Sequence, residues 1–212
     1  MKETKDLIMN AAERCFARYG IASASIRTII ADAGVNLGAV TYHFGSKENL
    51  VVEVFKRRMV PINQERLAMI EESEREANGK PITLRKVIEA IVIPQRKMAK
   101  RYPQFAAFLI KMKNYPNPKI FQTIGTEFSP VFEKFDQVFR AALPPISETE
   151  LIIKTNFLIR LLDSFPEDDH HIQQKLPKKI DSDTVTEILI SFIEGGLSNL
   201  VTTPDMAQSE CK

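Results

Sequence analysis

Residues 25–50 read SIRTIIADAGVNLGAVTYHFGSKENL, and their pattern predicts two short helices around a tight turn, followed by the start of a third. Ser25 is suited to cap the first helix, because its hydroxyl can accept a free backbone N–H of the first turn. Gly34 is expected to end that helix, since a residue just past a helix end often needs a positive φ. Asn36 can then cap a second helix over residues 37–43. The apolar positions that would pack the two helices together are Ile26, Ile29, Ile30, Ala33, Val35, Val40 and Phe44.

A helix, a short glycine turn and a second helix make up the helix-turn-helix unit, whose second helix enters the major groove of DNA. The polar residues of this stretch fit that use. No carboxylate lies between Val35 and Lys47, which favours an approach to a polyanion. Gly38 and Ala39 are small enough for the backbone to come close to a groove floor or a phosphate.

A set of residues at fixed spacing spans the first quarter of the chain, namely Ala11, Ala12, Phe16, Gly20, Ser25, Ile26, Arg27, Ile29, Ala33, Gly34, Val35, Gly38, Tyr42, His43, Phe44, Lys47, Glu48 and Leu50. Through these residues the N-terminal quarter of the chain resembles the DNA-binding domain of the TetR (tetracycline-repressor) family, in particular a subgroup with YHFGSKE after its recognition helix. Two positions depart from the family pattern. Ile30 stands where the family usually has Ala, and Thr41 stands where many members have Tyr.

The resemblance implies a homodimeric transcriptional regulator, most often a repressor, that reads a palindromic operator in double-stranded DNA and is released by a small-molecule effector. We expect base-edge contacts from one group of residues and phosphate contacts from another. The expected base-contacting residues are Asn36, Leu37, Gly38, Ala39 and Thr41. The expected phosphate-contacting residues are Thr28, Tyr42, His43 and Lys47.

The composition is that of a soluble globular protein. The chain has 212 residues, 44% of them hydrophobic and 26% charged, with a formal net charge of +2. This apolar content is enough for a substantial core. The first ten residues, MKETKDLIMN, contain no signal-peptide core, and no apolar run approaches the length of a membrane span. We therefore expect a cytoplasmic protein that makes no membrane contact.

The remainder of the chain predicts helices separated by proline breaks, and no stretch shows the alternation of a sheet. The expected fold is all-α: a three-helix helix-turn-helix domain over residues 1–50, a helical regulatory and dimerisation domain over residues 51–203, and a disordered tail over residues 204–212. The helix that links the two domains would start near residue 47. Thr4 is expected to cap the first helix, and Pro61 is expected to kink or divide the linking helix. The expected buried face of the first helix is Ile8, Ala12, Cys15, Phe16 and Tyr19.

Two later segments predict how the chain assembles. Residues 151–165 are apolar nearly all round, and residues 185–200 carry a wide apolar stripe beside small residues. The first segment would have to be covered on more than one side, and the two segments together could form a self-complementary four-helix seam across a two-fold axis. TetR-like proteins usually dimerise through their last two long helices. The alternative is that both helices fill the core of a single subunit. The expected interface residues are Leu158, Leu162, Ile188, Phe192, Gly196 and Leu197.

An aromatic stripe in the middle of the chain predicts a ligand-binding region. In TetR-like proteins the equivalent part of the body holds a small-molecule pocket between helices, and a lining of aromatic and Met side chains would favour an apolar or aromatic effector. Each of these residues can equally belong to the hydrophobic core. The expected pocket residues are Phe108, Met112, Tyr115, Phe128, Phe132 and Phe135.

The run EDDHH at residues 167–171 is the sequence's best candidate for a metal or acid–base site, because its residue types suit a divalent ion. Its five residues are consecutive and have no partner at a fixed spacing, so a solvated loop is the preferred interpretation. Cys15 and Cys211 also lack metal-ligand spacing. We expect no metal and no cofactor. The alternatives to a ligand-responsive regulator are an all-α metal-dependent enzyme that uses this loop and a DNA-binding regulator without a small-molecule ligand.

Overall fold

The computed structural model describes residues 2–162, 174–178 and 180–199. Within these ranges every regular element is an α-helix, which confirms the predicted all-α fold. The run EDDHH and the predicted tail lie outside the described residues. The helices are, in chain order, α1 Lys2–Tyr19, α2 Ile26–Ala33, α3 Leu37–Phe44, α4 Lys47–Ala77, α5 Leu84–Arg101, α6 Pro103–Lys113, α7 Pro118–Ala142, α8 Glu148–Leu161 and α9 Ser182–Ser198.

The short helices α2 and α3 begin and end where local side-chain chemistry predicts. The Ser25 side chain accepts a hydrogen bond from the backbone N–H of Thr28, and the Asn36 side chain accepts one from the backbone N–H of Ala39. Gly34 lies in the left-handed region at φ 67°, a conformation that costs glycine little. These capping predictions are therefore confirmed, and the second helix runs one residue further than predicted, to Phe44.

The first helix differs from its prediction in two respects. It starts at Lys2, so Thr4 lies inside its first turn and does not cap it. Tyr19, expected on the buried face, is 46% exposed. Tyr19 is the last residue of α1, where the chain turns away at Gly20, and the Arg18 guanidinium lies 5.2 Å from its ring centroid.

We call α1–α3 the head and the helices that follow them the body. The core of the head is continuous with part of the body. Phe16 of α1 stacks on Phe108 of α6, with ring centroids 5.8 Å apart. Phe105 of α6 and Phe128 of α7 belong to the same buried cluster. The head therefore packs directly on α6 and not only on the linking helix. The predicted packing positions of the head that are buried in this cluster are Ile8, Ala12, Cys15, Phe16, Ile29, Val40 and Phe44, with Ile26, Ile30, Ala33 and Val35 partly buried beside them.

Three helices contain an internal proline. Pro61 lies within α4, Pro94 within α5 and Pro130 within α7, and all three helices continue through them. Pro61 does not divide the linking helix. Pro130 lies inside α7 and does not begin a new helix. Packing against neighbouring helices compensates for the main-chain hydrogen bond that each proline removes.

A second buried cluster holds the far end of the body together. It joins α5 and α7 to the last two helices, with Val87, Phe139, Leu158 and Ile193 among its members. Arg85 of α5 adds ion pairs to Glu187 and Glu194 of α9. None of the helices in the described ranges is long and apolar enough to cross a membrane.

Candidate nucleic-acid interface

Helix α3 presents several side chains to solvent while its opposite face packs on the head. Tyr42 is 72% exposed and Leu37 is 55% exposed, whereas Val40 and Phe44 are buried. Thr41 and Gly38 are also exposed. Ala39 is only partly exposed and packs against the head core, so less of its surface is available for a base edge. The free surface of this short helix therefore consists of Leu37, Gly38, Thr41 and Tyr42.

The capping role of Asn36 limits how it can contact DNA. Its Oδ1 accepts a hydrogen bond from the backbone N–H of Ala39 at 3.0 Å, which leaves its amide N–H groups as donors. Gly38 lies beside this cap, and a Cβ at that position would be 3.3 Å from Asn36 Oδ1. A side chain at residue 38 would therefore press on the cap as well as on an approaching groove.

The Thr41 hydroxyl is close to its own helix but not strongly held by it. Its Oγ1 lies 3.5 Å from the carbonyl oxygen of Leu37, at the long limit for a hydroxyl hydrogen bond. Thr41 can therefore exchange this weak contact for a base-edge hydrogen bond or place its methyl group against a thymine methyl.

The expected phosphate contacts lie around the two ends of α3 and at the start of α2. The Thr28 hydroxyl is 2.8 Å from the Ser25 hydroxyl, so one of the two can still donate outward. His43 is partly buried, and its ring lies edge-on to that of Tyr42 with centroids 5.0 Å apart. The side chains of Tyr42 and His43 thus project from the C-terminal end of α3 on the exposed side of the head.

Lys47 has a second role that the sequence did not predict. Its Nζ donates a hydrogen bond to the backbone carbonyl oxygen of Ala22 at 3.2 Å, which ties the first turn of α4 to the turn after α1. Burial lowers the pKa of Lys47, and the nearby Glu48 carboxylate opposes that shift. Lys47 keeps further N–H donors for a phosphate, because an ammonium group carries three.

Arg27 is a candidate contact that the sequence reasoning did not select. It lies in the first turn of α2, is exposed, and makes no hydrogen bond or ion pair with the residues that the structure describes. The available signal was a basic residue two positions after a helix cap, on a helix with no acidic residue in its first turn. The one carboxylate of α2, Asp32, is paired with Arg14 at 2.7 Å. The exposed surface of α2 and α3 is therefore free of unpaired negative charge.

The residues expected to line an effector pocket fall into three environments. Phe108, Met112 and Phe128 are buried in the cluster shared with the head, and Tyr115 packs against it. Phe135 is buried in the cluster at the far end of the body. Phe132 is 57% exposed, so the predicted aromatic stripe is not a single buried face. Two cavities of about 500 and 540 Å³ are lined by other residues.

The residues expected at a dimer interface separate into buried and exposed groups. Leu158, Leu162 and Leu197 are buried in the core of the subunit, so for these residues the single-subunit alternative describes the packing better. Ile188 and Phe192 are 56% and 67% exposed, and Gly196 is exposed beside them. Helix periodicity gave the apolar positions but not which of them another helix covers. The large apolar side chains exposed on α8 and α9 are Ile152, Ile153, Phe157, Ile159, Ile188 and Phe192.

The metal-site alternative rested on residues 167–171, outside the described ranges. Elsewhere in the described chain, no group of three or more His, Cys, Asp or Glu side chains is arranged to hold a metal ion. Cys15 is a buried free thiol, and burial raises its pKa, with the Asp32 charge adding to that shift.

Two family models match the chain and together include both parts of the fold. "Bacterial regulatory proteins, tetR family" matches residues 8–54, and "Tetracyclin repressor-like, C-terminal domain" matches residues 88–196. The first contains the helix-turn-helix and the start of α4. The second spans more than half of the chain and includes the core of the body.

The chain is also similar to curated regulators, mostly over its head. The transcriptional repressor AcnR of Corynebacterium glutamicum is 44% identical over 43 residues, which are 20% of this chain and 23% of AcnR. The transcriptional regulator TtgR of Pseudomonas putida is 42% identical over 50 residues, 24% of each chain. YerO of Bacillus subtilis, an uncharacterised transcriptional regulator, is 27% identical over 143 residues, 68% of this chain and 46% of YerO. The chain thus spans less than half the length of these relatives.

Solved structures share the fold over nearly the full chain. A TetR-family regulator from Marinobacter aquaeolei has a TM-score of 0.67 at 14% identity and covers 94% of this chain and 97% of its own. The hemolysin II transcriptional regulator HlyIIR has a TM-score of 0.61 at 18% identity, covering 94% and 99%. The matched families and relatives are transcriptional regulators and not enzymes. The chain belongs to the TetR family of bacterial transcriptional regulators and carries its DNA-binding helix-turn-helix at the N-terminus.

Proposed function

We propose that this regulator is a cytoplasmic homodimer that represses transcription by binding a palindromic operator and releases it when a small effector binds the body. The observation that carries this proposal is the separation of two exposed surfaces. A helix free of carboxylates is exposed at one end of the chain, and an apolar face is exposed on the last two helices.

The apolar face supports the homodimer. Phe157 of α8 and the pair Ile188 and Phe192 of α9 are each more than half exposed. Large contiguous apolar patches on a soluble protein usually mark an interface. A two-fold axis through this face would bring α8 and α9 against their copies and bury these side chains in a four-helix seam.

The head supports reading of the major groove by α3. Thr41, Leu37 and Gly38 would face base edges, with Asn36 limited to donating from its amide. Thr28, Tyr42, His43 and Lys47 would hold phosphates, and Arg27 joins this group. Two such heads must lie about 34–36 Å apart, or a multiple of that distance, to read the two halves of a palindrome.

Repression with release by an effector is supported by the packing of the head on the body. Phe16 on Phe108 links α1 to α6 directly, so a change at α6 would alter the head position. An effector that binds the two head positions unequally would then lower the DNA affinity. Coupling of this kind is typically about 1–3 kcal/mol. The name of AcnR as a repressor agrees with this direction of regulation.

The test is selection of bound sequences from a random DNA pool with the purified protein at a fixed salt concentration. A palindrome with constant half-site spacing is the expected result, followed by transcription assays that show repression from that sequence. Recovery of single half-sites would contradict the dimer. Activation from the recovered palindrome would contradict repression. If no compound in an effector screen dissociates the operator complex, the result would favour the alternative of a DNA-binding regulator that has no small-molecule ligand.

A further inference from the structure

A cavity of about 500 Å³ opens between the head and α6. Its walls come from three helices, with Cys15 and Arg18 on α1, Thr28 on α2 and Gln104 on α6. Its volume is within the range of small-molecule sites in proteins, which is about 300–1,000 Å³. None of the residues that the sequence predicts for an effector pocket lines it. The cavity is therefore separate from the aromatic region that the sequence singles out in the body.

Small side chains leave this space between α1 and α6. Phe16 and Phe108 fill the interface between the same two helices by stacking, with ring centroids 5.8 Å apart. The next residue on α1, Ala17, and the preceding residue on α6, Ala107, line the cavity instead. Cys15, which is 4% exposed, also lines it. The inner wall is thus formed by small, largely apolar side chains that can pack on an apolar ligand.

The charged residues that line the cavity leave one positive charge without a partner. Arg14 is paired with Asp32 at 2.7 Å, whereas the exposed guanidinium of Arg18 makes no hydrogen bond or ion pair with the residues that the structure describes. Burial raises the pKa of the Cys15 thiol, and the charges of Arg14 and Arg18 oppose that shift. Both guanidinium groups therefore act on the inner wall, and the net field in the cavity favours an anion.

Neutral donors line the same cavity. The Gln104 amide is exposed and makes no hydrogen bond in the described part of the chain. The hydroxyl oxygens of Thr28 and Ser25 lie 2.8 Å apart, so one hydroxyl proton of the pair remains for another acceptor. One unpaired guanidinium with neutral donors matches a carboxylate better than a dianion. An aromatic body would gain further, since a guanidinium also stacks on ring faces.

We propose that this cavity binds a small aromatic carboxylate, with its carboxylate at Arg18 and its ring against Ala17 and Ala107. The Gln104 amide and the Thr28 hydroxyl supply further donors. Binding at the cavity does not depend on the proposed function, but its consequence for DNA does. Thr28 is also a proposed phosphate contact, and the walls belong to both the head and α6, so an anion bound there should oppose operator binding.

The experiment compares indole-3-acetate with indole-3-acetamide on the full-length protein without DNA, by isothermal titration calorimetry. The two probes share the aromatic body and differ in charge. Saturable binding of indole-3-acetate is expected with a Kd on the order of 1 mM. The amide is expected to bind about three- to fivefold more weakly, as for the loss of a partly exposed ion pair. Equal binding of the two probes, or no saturable binding of indole-3-acetate, would overturn the proposal.

A charge variant locates the carboxylate. Arg18→Met removes the unpaired guanidinium at an exposed position, and it should weaken indole-3-acetate binding by about three- to fivefold while leaving the amide unaffected. Arg75→Met on α4 removes an exposed arginine whose ion pair with Glu72 lies at the surface, and it should bind indole-3-acetate like the wild type. Unchanged binding by Arg18→Met would assign the carboxylate to another place and overturn the proposal.

A cavity-filling variant tests the position of the ring. Ala107→Phe places a side-chain ring in the space that the probe would occupy, and it should reduce the binding of both probes by about tenfold, because their rings lose burial. Ala141→Phe, at an exposed position on α7, is the matched control. Full binding by a folded Ala107→Phe would place the probes elsewhere and overturn the proposal. If circular dichroism shows that this variant does not fold, Arg18→Met decides alone.

The operator separates the site from its consequence. Indole-3-acetate should lower the affinity of the wild type for the selected palindrome, and Arg18→Met should be less sensitive to the probe, because the coupling between the two ligands is reciprocal. Indole-3-acetate that binds through Arg18 but leaves the operator complex intact would confirm the cavity and contradict only its role in release. Because binding is measured without DNA, a failed operator selection would contradict the proposed function alone.

Discussion

The Nζ of Lys47 lies 3.2 Å from the backbone carbonyl oxygen of Ala22 and donates a hydrogen bond to it. This contact joins residues that are 25 positions apart in the sequence, and it fixes the N-terminus of α4 against the turn between α1 and α2. The same ammonium group lies beside the end of α3, where a DNA backbone would pass. Lys47 therefore combines a structural contact with a proposed phosphate contact, and the two contributions can be separated by experiment.

Lys47→Met should weaken operator binding and reduce its dependence on salt. Each phosphate contact that is lost lowers the slope of log K against log salt by about 0.9, so a dimer that loses one contact per subunit should lose about twice that. The lost hydrogen bond to Ala22 should cost about 1 kcal/mol of unfolding free energy. Affinity titrations at several salt concentrations measure the first effect, with Lys86→Met on α5 as the control. An unchanged slope with lowered stability would leave Lys47 a structural role alone.

Tyr42→Ala should weaken operator binding without destabilising the head. The side chain is 72% exposed, so its removal should change the free energy of unfolding by no more than about 0.5 kcal/mol. The loss of one hydrogen bond to DNA per subunit should reduce the affinity by about tenfold. Tyr19→Ala, at an exposed tyrosine of the same head outside α3, is the matched control in gel-shift titrations. Equal affinity losses in both variants would argue against a specific contact by Tyr42.

Glu13→Gln should destabilise the protein by about 2–3 kcal/mol. Glu13 is 4% exposed and accepts from Arg57 at 2.6 Å and from Arg58 at 3.2 Å. Removal of its charge leaves two partly buried guanidinium groups without a counterion; breaking a fully buried pair costs roughly 3–5 kcal/mol. Urea unfolding measures the difference. Glu76→Gln, at an exposed position near the end of α4, should leave the unfolding midpoint unchanged, and a comparable loss there would contradict the assignment.

The caps of the short helices could be read from the sequence because they depend on neighbours three residues away. Ser25 and Asn36 each accept from the residue three positions later, and residue type alone favours that contact. The positive φ of Gly34 is local in the same sense. The boundaries of α2 and α3 could be predicted to within one residue for this reason.

Contacts between helices that are distant in the sequence could not be predicted in the same way. Periodicity placed Phe132 on a stripe with Phe128 and Phe135, but the structure exposes Phe132 and buries the other two, since burial depends on which helices pack alongside. Likewise, the tie from Lys47 to Ala22 and the placement of Arg66 against Gln95 depend on how separate helices meet. A charged residue in a predicted helix is ordinarily solvated, and the sequence offers no signal for its buried partners.

Glu53→Gln should reduce stability near neutral pH and have no effect in acid. Burial alone would raise the pKa of Glu53, but the hydrogen bond from Lys5 at 2.7 Å and the charges of Lys5 and Lys56 outweigh burial and lower it. A lowered folded-state pKa contributes stability that is present above the ordinary value of 4.5 and is lost as the pH falls through the lowered value. The difference from wild type should be about 0.5–1 kcal/mol at pH 7, as for partly exposed ion pairs. Unfolding curves recorded from neutral to acid pH measure this stability difference, and Glu71→Gln is the exposed control on α4. A difference that persists in acid would contradict the linkage between the lowered pKa of Glu53 and stability.

Phe192→Glu should convert the proposed dimer into monomers. The side chain is 67% exposed in the subunit, and Ile188 lies exposed one turn away on the same helix. In a two-fold seam a glutamate at residue 192 would be desolvated near its own copy, where like charges repel. Because Phe192 contributes little to the subunit core, the variant should still fold, which circular dichroism checks.

Ile110→Glu, at a 43% exposed position on α6, is the matched control. Light scattering should give the monomer mass for Phe192→Glu and the dimer mass for the control and the wild type. A stable dimer of the variant would move the interface away from α9, and a monomeric wild type would refute the homodimer itself.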